Sequence, residues 1–334
     1  MIQTDYYELL GVTPRAHDYV IKAAYGALMK HHHPDNGGDL KTAQALGHAY
    51  GILSDPDKRA KYDRDRFDPA SLLANEYKII ELISDTGLGA TYKAEDSLLE
   101  QTVCIKHCTN ISPEADEFLL NEVRNLRRLR HAGLPSVFRV FRLPDGSLAF
   151  AMSFIPGYNL EEAVKKAGPL DPEDVAWIGE RSLNTLRYMH YFGSIHGDVK
   201  PQKIIVDDTD HSAVLVGHGL SMFRPKAGEK AKGYTPYFSP PEAKNGEMLC
   251  PQSDLYSLGL SMIYALSGDL RRVENREVPS KVPKPMKAFI ARLVEDTVAL
   301  RPRWENTDLF EEIKKIREES FGRARSGMKR IRGL

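Results

Sequence analysis

The spacing of apolar residues changes twice along this 334-residue chain, so no single uniform architecture accounts for it. Up to about residue 67 the period is helical. In "YVIKAAYGALMKHH", Ile21, Tyr25, Leu28 and His32 fall on one face, with Asp18 placed to cap the helix. In "LKTAQALGHAYGILS", Leu40, Ala43, Leu46, Tyr50 and Leu53 do the same, and Pro56 stops the pattern. The intervening "HPDNGGD" permits neither helix to continue, which predicts two antiparallel helices joined by a tight polar loop. From Tyr77 the period shortens to β-prone runs, "YKIIELI", "TYKAED", "TVCIKHC", "SVFRVF" and "LAFAMSF". After Gly157 it turns helical again, through about Ile316.

A β-rich lobe followed by a helical lobe predicts an α+β domain with a cleft, preceded by an all-α hairpin domain: a multidomain chain. The expected boundaries are 1–67 for the hairpin domain, 68–75 for a linker around "RDRFDPASLLAN", 76–154 and 157–316 for the two lobes, and 317–334 for a basic tail.

Charge excludes some partners. Acidic and basic residues number 46 each, so no global field draws the chain to nucleic acid or to a membrane surface. Only the end is lopsided, with Arg323, Arg325, Lys329, Arg330 and Arg332. Three cysteines at no framework spacing suit a reducing compartment. In "CIKHC", strand alternation turns Cys104 and Cys108 one way and His107 the other, so no metal site is expected. No signal pattern and no membrane-length apolar run is present, which predicts a cytoplasmic location.

Within the first domain, Pro34 stiffens the loop between His33 and Asp35 and turns both side chains outward, where a carboxylate suits a partner's arginine. "DYYELLGV", "IKAAYGALMKHHHPDNGGD" and "AYGILSDPDKRAKYD" together resemble the J domain of DnaJ-type co-chaperones across residues 4–63. The resemblance implies that His33, Pro34 and Asp35 stimulate ATP hydrolysis by a DnaK-type heat-shock chaperone, helped by Lys22 and Lys30. Ala23, Gly26, Ala27 and His31 stand where that family commonly has basic residues, a loss that slows steered association.

In the second domain, "VCIKHC" sets Lys106 on a strand and "NEVRNLRRLRH" sets Glu122 on a helix with the apolar stripe Val123, Leu126 and Leu129. "HGDVKPQKIIV", "GYTPYFSPPE", "SDLYSLG" and "ALRPRW" follow in order. Together these resemble the eukaryotic-type protein kinase domain across residues 76–316. The resemblance implies that Lys106 and Glu122 serve the nucleotide phosphates, Asp198 acts as base, and Met152 precedes a hinge at Ser153 to Ile155. It further implies an ion pair of Glu242 with Arg301, and a brace from Asp254 to the catalytic loop.

The departures gather at the phosphates. Of the glycine-rich loop only Gly89 matches, with Ser84 and Thr86 at the other glycine positions. Gly197 replaces the arginine that reads a phosphorylated activation loop. Lys203 replaces the metal-binding asparagine, and Gly217 and His218 replace the aspartate and phenylalanine of the DFG motif. An ammonium has no lone pair for Mg²⁺ and glycine has no side chain.

From this we expect a catalytically impaired pseudokinase rather than an enzyme. It would be fused to a co-chaperone J domain as an adaptor for an unknown protein client. No cofactor would be required, and Lys203 would support weak ATP binding without Mg²⁺. Two alternatives stand beside it: an unorthodox Ser/Thr phosphotransferase using Lys106, Glu122 and Asp198, and a purely structural interaction protein.

Overall fold

A computed structural model describes residues 5–66, 76–86, 89–143, 145–207, 209–324 and 327. The expected linker 68–75, and half of the basic tail, lie outside the described residues. The chain packs as two compact units, Met1–Leu120 with Val137–Phe154 and Asn121–Ser136 with Ile155–Leu334.

The first unit opens with four helices: α1 (Tyr6–Leu9), α2 (Asp18–His32), α3 (Leu40–Leu53) and α4 (Pro56–Arg66). Their core is Tyr7, Leu10, Ile21, Leu46, Ala49, Leu53 and Tyr62, and Tyr25 stacks on Tyr50 with ring centroids 4.2 Å apart. Arg59 draws the open end together. It donates from Nε to the Tyr7 hydroxyl at 2.9 Å and from Nη2 to the carbonyls of Pro14 and Ala16 at 3.1 and 2.9 Å.

Two details depart from the periodicity. The residue before α2 is His17, with no side-chain cap, and Asp18 is the first helical residue, paired with Arg59 at 3.1 Å instead of capping. Leu40 is 57% exposed, because the first turn of α3 is capped by Asp39 at the loop end and lies beyond the seam.

The same unit holds a five-stranded antiparallel sheet in the order β1-β2-β3-β5-β4. Its strands are β1 (Tyr77–Thr86), β2 (Gly89–Asp96), β3 (Gln101–His107), β4 (Val137–Arg142) and β5 (Leu148–Ser153). One face buries Tyr92, Ala94, Val103, Ile105, Ala149 and Ala151. His107 is buried as well, sharing a 2.8 Å hydrogen bond with the Ser147 hydroxyl, so Cys104, His107 and Cys108 do not alternate between core and solvent.

Helix α5 (Pro113–Arg128) begins in the first unit and ends in the second, which is otherwise mostly helical. Its long helices are α6 (Leu160–Ala167), α7 (Pro172–Tyr191), α9 (Pro251–Ser267), α11 (Lys284–Leu293) and α12 (Leu309–Phe321), with short α8 (Pro241–Lys244) and α10 (Leu270–Glu274). Helix α7 is the spine, packed against α9, α12 and the strand β6 (Ser212–Leu215). Among the described residues no helix is long and apolar enough to cross a membrane. The molecule is thus multidomain, a helical J-type domain followed by a kinase-like domain with a sheet lobe and a helical lobe.

Candidate active site

The loop after α7 is built around one buried carboxylate. Asp254, in the first turn of α9 and 1% exposed, accepts from the backbone N–H of His196 at 2.7 Å and of Gly197 at 2.9 Å. It also accepts from His190 Nε2 at 2.8 Å. His190 Nδ1 accepts from the indole N–H of Trp304 at 2.9 Å, which places the imidazole proton on Nε2. Burial by itself would raise the Asp254 carboxyl, but the bonds from His190 and Gly197 outweigh it and hold the group below its ordinary range. The brace expected from the resemblance is present. His190 and Trp304 complete it, and the sequence alone does not point to either.

Gly197 has φ +74°, and a Cβ there would stand 2.9 Å from the Leu220 carbonyl oxygen. The position is closed to an arginine both by conformation and by the approach of that backbone.

Asp198 follows, with its side chain 9% exposed. Its Oδ1 accepts from the Thr235 hydroxyl at 2.7 Å, and Lys200 Nζ lies 2.9 Å from its Oδ2. Lys200 also donates to Thr235 Oγ1 at 2.9 Å, closing a triangle of carboxylate, ammonium and hydroxyl. The Thr235 N–H donates to Ser239 Oγ at 2.7 Å, which fixes the segment carrying it. Sequence reasoning passes over Thr235 although it lies within "GYTPYFSPPE". Its one local mark is a hydroxyl pinned before Pro236.

Lys203 ends a one-turn 3-10 helix, Pro201–Lys203, and its carbonyl accepts from Val216 N–H at 2.9 Å. Gly217 has φ +77°. A Cβ on it would collide with the Lys203 side chain, whose Cδ and Cε would lie 2.7 Å away and whose Nζ would be closer still. The lysine stem therefore fills the space that an acidic side chain at 217 would need. Asp207 Oδ1 accepts from the N–H groups of Thr209 at 2.8 Å and Asp210 at 3.3 Å, which occupies it in a turn. Asp208 lies outside the described residues.

Glu122 belongs to the same unit as Asp198 and Lys203. It is 1% exposed, and its Oε1 accepts from the His218 backbone N–H at 3.2 Å. The other nucleotide candidates belong to the sheet unit. Lys106 on β3 stands opposite Thr91 and Phe150, and Met152 on β5 opposite Cys104. Gly89 opens β2, where its carbonyl accepts from the Thr86 hydroxyl at 3.1 Å. Glu242 and Arg301 form a bidentate pair, at 2.6 and 3.0 Å, shared with the Ser253 hydroxyl at 2.7 Å.

In the J-type domain, Pro34–Asn36 forms a 3-10 turn with His33 at its N-cap. His33 Nδ1 accepts from Asp35 N–H at 3.3 Å and lies 3.5 Å from Asp35 Oδ2. The Asp35 side chain is 86% exposed and that of His33 45% exposed. On α2, Lys22 and Lys30 are exposed, and so are Ala23, Gly26, Ala27 and His31.

The protein kinase domain family matches residues 77–312, and the DnaJ domain family matches residues 5–63. "Serine/threonine-protein kinase F" of Synechocystis sp. is 29% identical over 262 residues, covering 68% of this chain and 52% of the relative. "Serine/threonine-protein kinase PknK" of Mycobacterium tuberculosis is 27% identical over 259 residues, 70% of this chain and 23% of the relative. "Serine/threonine-protein kinase PrkC" of Bacillus subtilis is 25% identical over 201 residues, 59% and 31% respectively. The chain thus spans about half or less of the length of these relatives.

These matches correct two expectations. The chain was expected to be no enzyme, whereas its relatives bear the names of serine/threonine kinases. It was expected to need no cofactor, whereas kinase chemistry draws on ATP and Mg²⁺. The described residues nevertheless do not fit Mg²⁺ at its two usual anchors. Lys203 and Gly217 offer it no side-chain oxygen, and no group of three or more His, Cys, Asp or Glu able to hold a metal is found among the described residues.

Proposed function

The chain belongs to the protein kinase family and carries a DnaJ domain ahead of the kinase domain, and from that premise we propose that it transfers a phosphoryl group from ATP to a serine or threonine hydroxyl. The observation that carries this reading is the triangle of Asp198, Lys200 and Thr235. Asp198 is buried enough to be held in one orientation, and it keeps an ammonium and a hydroxyl within 2.9 Å. In the proposed step, Asp198 takes the proton of the substrate hydroxyl as that oxygen attacks the γ-phosphorus. The bond from phosphorus to the ADP oxygen breaks, and ADP leaves with the electron pair. Lys200 balances the charge of the carboxylate beside the reacting oxygen. Lys106 and Glu122 take the phosphate-binding roles that the family resemblance implies. Because Lys203 and Gly217 do not fit Mg²⁺, no step is routed through a metal.

Label transfer from γ-labelled ATP to serine- and threonine-containing peptides tests this reading. Asp198→Ala should lower the rate by about two to four decades. Transfer that persists unchanged in Asp198→Ala would remove Asp198 from the chemistry.

A second function rests on the His33-Pro34-Asp35 turn. A J domain implies partnership with a DnaK-type chaperone in general, and the exposed Asp35 carboxylate supports that role here. We propose that the first domain stimulates such a chaperone while the kinase domain supplies a client. Single-turnover ATP hydrolysis by a DnaK-type protein should accelerate with this chain and not with its His33→Gln variant.

A further inference from the structure

Helix α5 carries Asn121, Glu122, Asn125 and Arg128 along its last two turns, and all four meet the segment that follows Gly217. Asn121 Nδ2 donates to the carbonyls of Gly219 at 2.8 Å and Ser221 at 3.0 Å. Asn125 Nδ2 reaches Ser221 O at 3.3 Å. The Arg128 guanidinium lies 4.3 Å from the centre of the Phe223 ring. One further residue arrives from farther along the chain. Lys232 Nζ donates to Asn121 Oδ1 at 2.8 Å and to Ser221 O at 3.1 Å.

That ammonium reinforces the orientation of the Asn121 amide and ties it to the segment. An amide can turn its oxygen and nitrogen end for end at little intrinsic cost. With a cation on one side and two carbonyls on the other, only the oxygen toward Lys232 and the nitrogen toward Gly219 and Ser221 satisfies all three. Without the cation the two carbonyls still select the amide nitrogen, but the bond on its oxygen and the direct bond from Lys232 to the Ser221 carbonyl are lost, and the hold of the helix on the segment weakens with them. Glu122, the next residue on the helix, accepts from His218 N–H in that segment.

Lys232 is itself held in place. The Ala231 N–H donates to the Glu247 carbonyl at 3.0 Å, and Ala231 packs on the cluster of Ile195, Met222, Ala243 and Leu249. The stretch 222–233, "MFRPKAGEKAKG", contains no serine, threonine or tyrosine, and Ser221 before it is fully buried with its hydroxyl on the His196 carbonyl. A phosphate cannot be added within this stretch to hold it.

We infer that Lys232 is a positioning residue, a built-in cation that locks the Glu122 helix onto segment 218–221 without phosphorylation. For its effect on catalysis the inference rests on the phosphotransfer reading above; for the lock itself it does not. The test uses the full chain and compares Lys232→Met, Lys232→Arg and the exposed neighbour Lys230→Met. Hydrogen exchange of segment 218–221 and of residues 121–128 reads the lock. Loss of a charge-assisted bond should speed exchange there about tenfold in Lys232→Met, with protection largely restored in Lys232→Arg and unchanged in Lys230→Met. The rate of peptide phosphorylation should fall about tenfold in kcat with little change in peptide KM. Exchange in Lys232→Met equal to wild type, or accelerated throughout the helical lobe alike, overturns the inference. Wild-type protein that transfers no phosphate removes the kinase reading, and the exchange comparison still decides the role of Lys232.

Discussion

His190 and Asp254 share a 2.8 Å hydrogen bond across 64 residues of sequence, and the same carboxylate holds the backbone of His196 and Gly197. The indole of Trp304 forces the His190 proton onto Nε2, so three donors converge on one buried acceptor. Asp254→Asn would turn an amide NH₂ toward at least one of them. The expected loss is about 3 kcal/mol in denaturant unfolding, against about 1 kcal/mol for Trp304→Phe, which frees only the imidazole. An Asp254→Asn protein as stable as wild type would contradict this account of the loop.

Burial holds His107 and His196, one in each unit, in their neutral form. Burial lowers His196 to about 3, with His218 adding to the effect, and lowers His107 to about 4 against a weaker opposing pull from Asp145. Each folded value lies below the unfolded value of about 6.5. Their contribution is therefore fully present above pH 6.5 and is lost as pH falls, because the unfolded chain takes up protons that the folded one refuses. Between about pH 6.5 and 4 each should remove up to about 1.4 kcal/mol of stability per pH unit. His107→Gln should reduce that slope, measured as unfolding free energy against pH. An identical slope in the variant would show that His107 does not carry it.

The Lys203 and Gly217 pair should behave as a coupled unit. Gly217→Asp alone must strain the left-handed backbone and collide with the Lys203 stem. Adding Lys203→Asn clears the collision and leaves only the strain. The double variant should therefore be more stable than Gly217→Asp alone by about 1–2 kcal/mol in a double-mutant cycle. It should also acquire an ATP thermal shift that grows with added Mg²⁺, since two oxygen-bearing side chains are then present. Strict additivity of the two changes would show that the side chains do not compete for one space.

The exposed face of α2 carries small residues at Ala23, Gly26 and Ala27. Ala23→Arg with Ala27→Arg should raise the association rate with a DnaK-type chaperone several-fold at low salt, and the gain should fade toward physiological ionic strength. Stopped-flow association at two salt concentrations measures it. A salt-independent gain would point to a contact other than charge steering.

The sequence by itself determined whatever depends on neighbours along the chain. The helical stripes of Ile21 with Tyr25 and of Ala43 with Leu46, the five β-runs, and the order of motifs from Lys106 to Arg301 are all visible in local spacing. So is the chemistry of an ammonium at 203 and a bare backbone at 217. Helix ends were less legible. Asp18 has the residue type of a cap, yet Arg59, 41 positions away, claims its carboxylate, and Leu40 fits the stripe but lies past the seam. Only the tertiary structure decided which distant groups share a site. Thr235 reaches Asp198 across 37 residues, Trp304 reaches His190 across 114, and Lys232 reaches Asn121 across 111. None of these residues belongs to a periodic pattern, because a hydrogen bond between remote side chains leaves no local spacing to read. What selects them is desolvation: once packing buries Asp254 or Asp198, a partner must stand within about 3 Å, and the fold alone determines which residue that is.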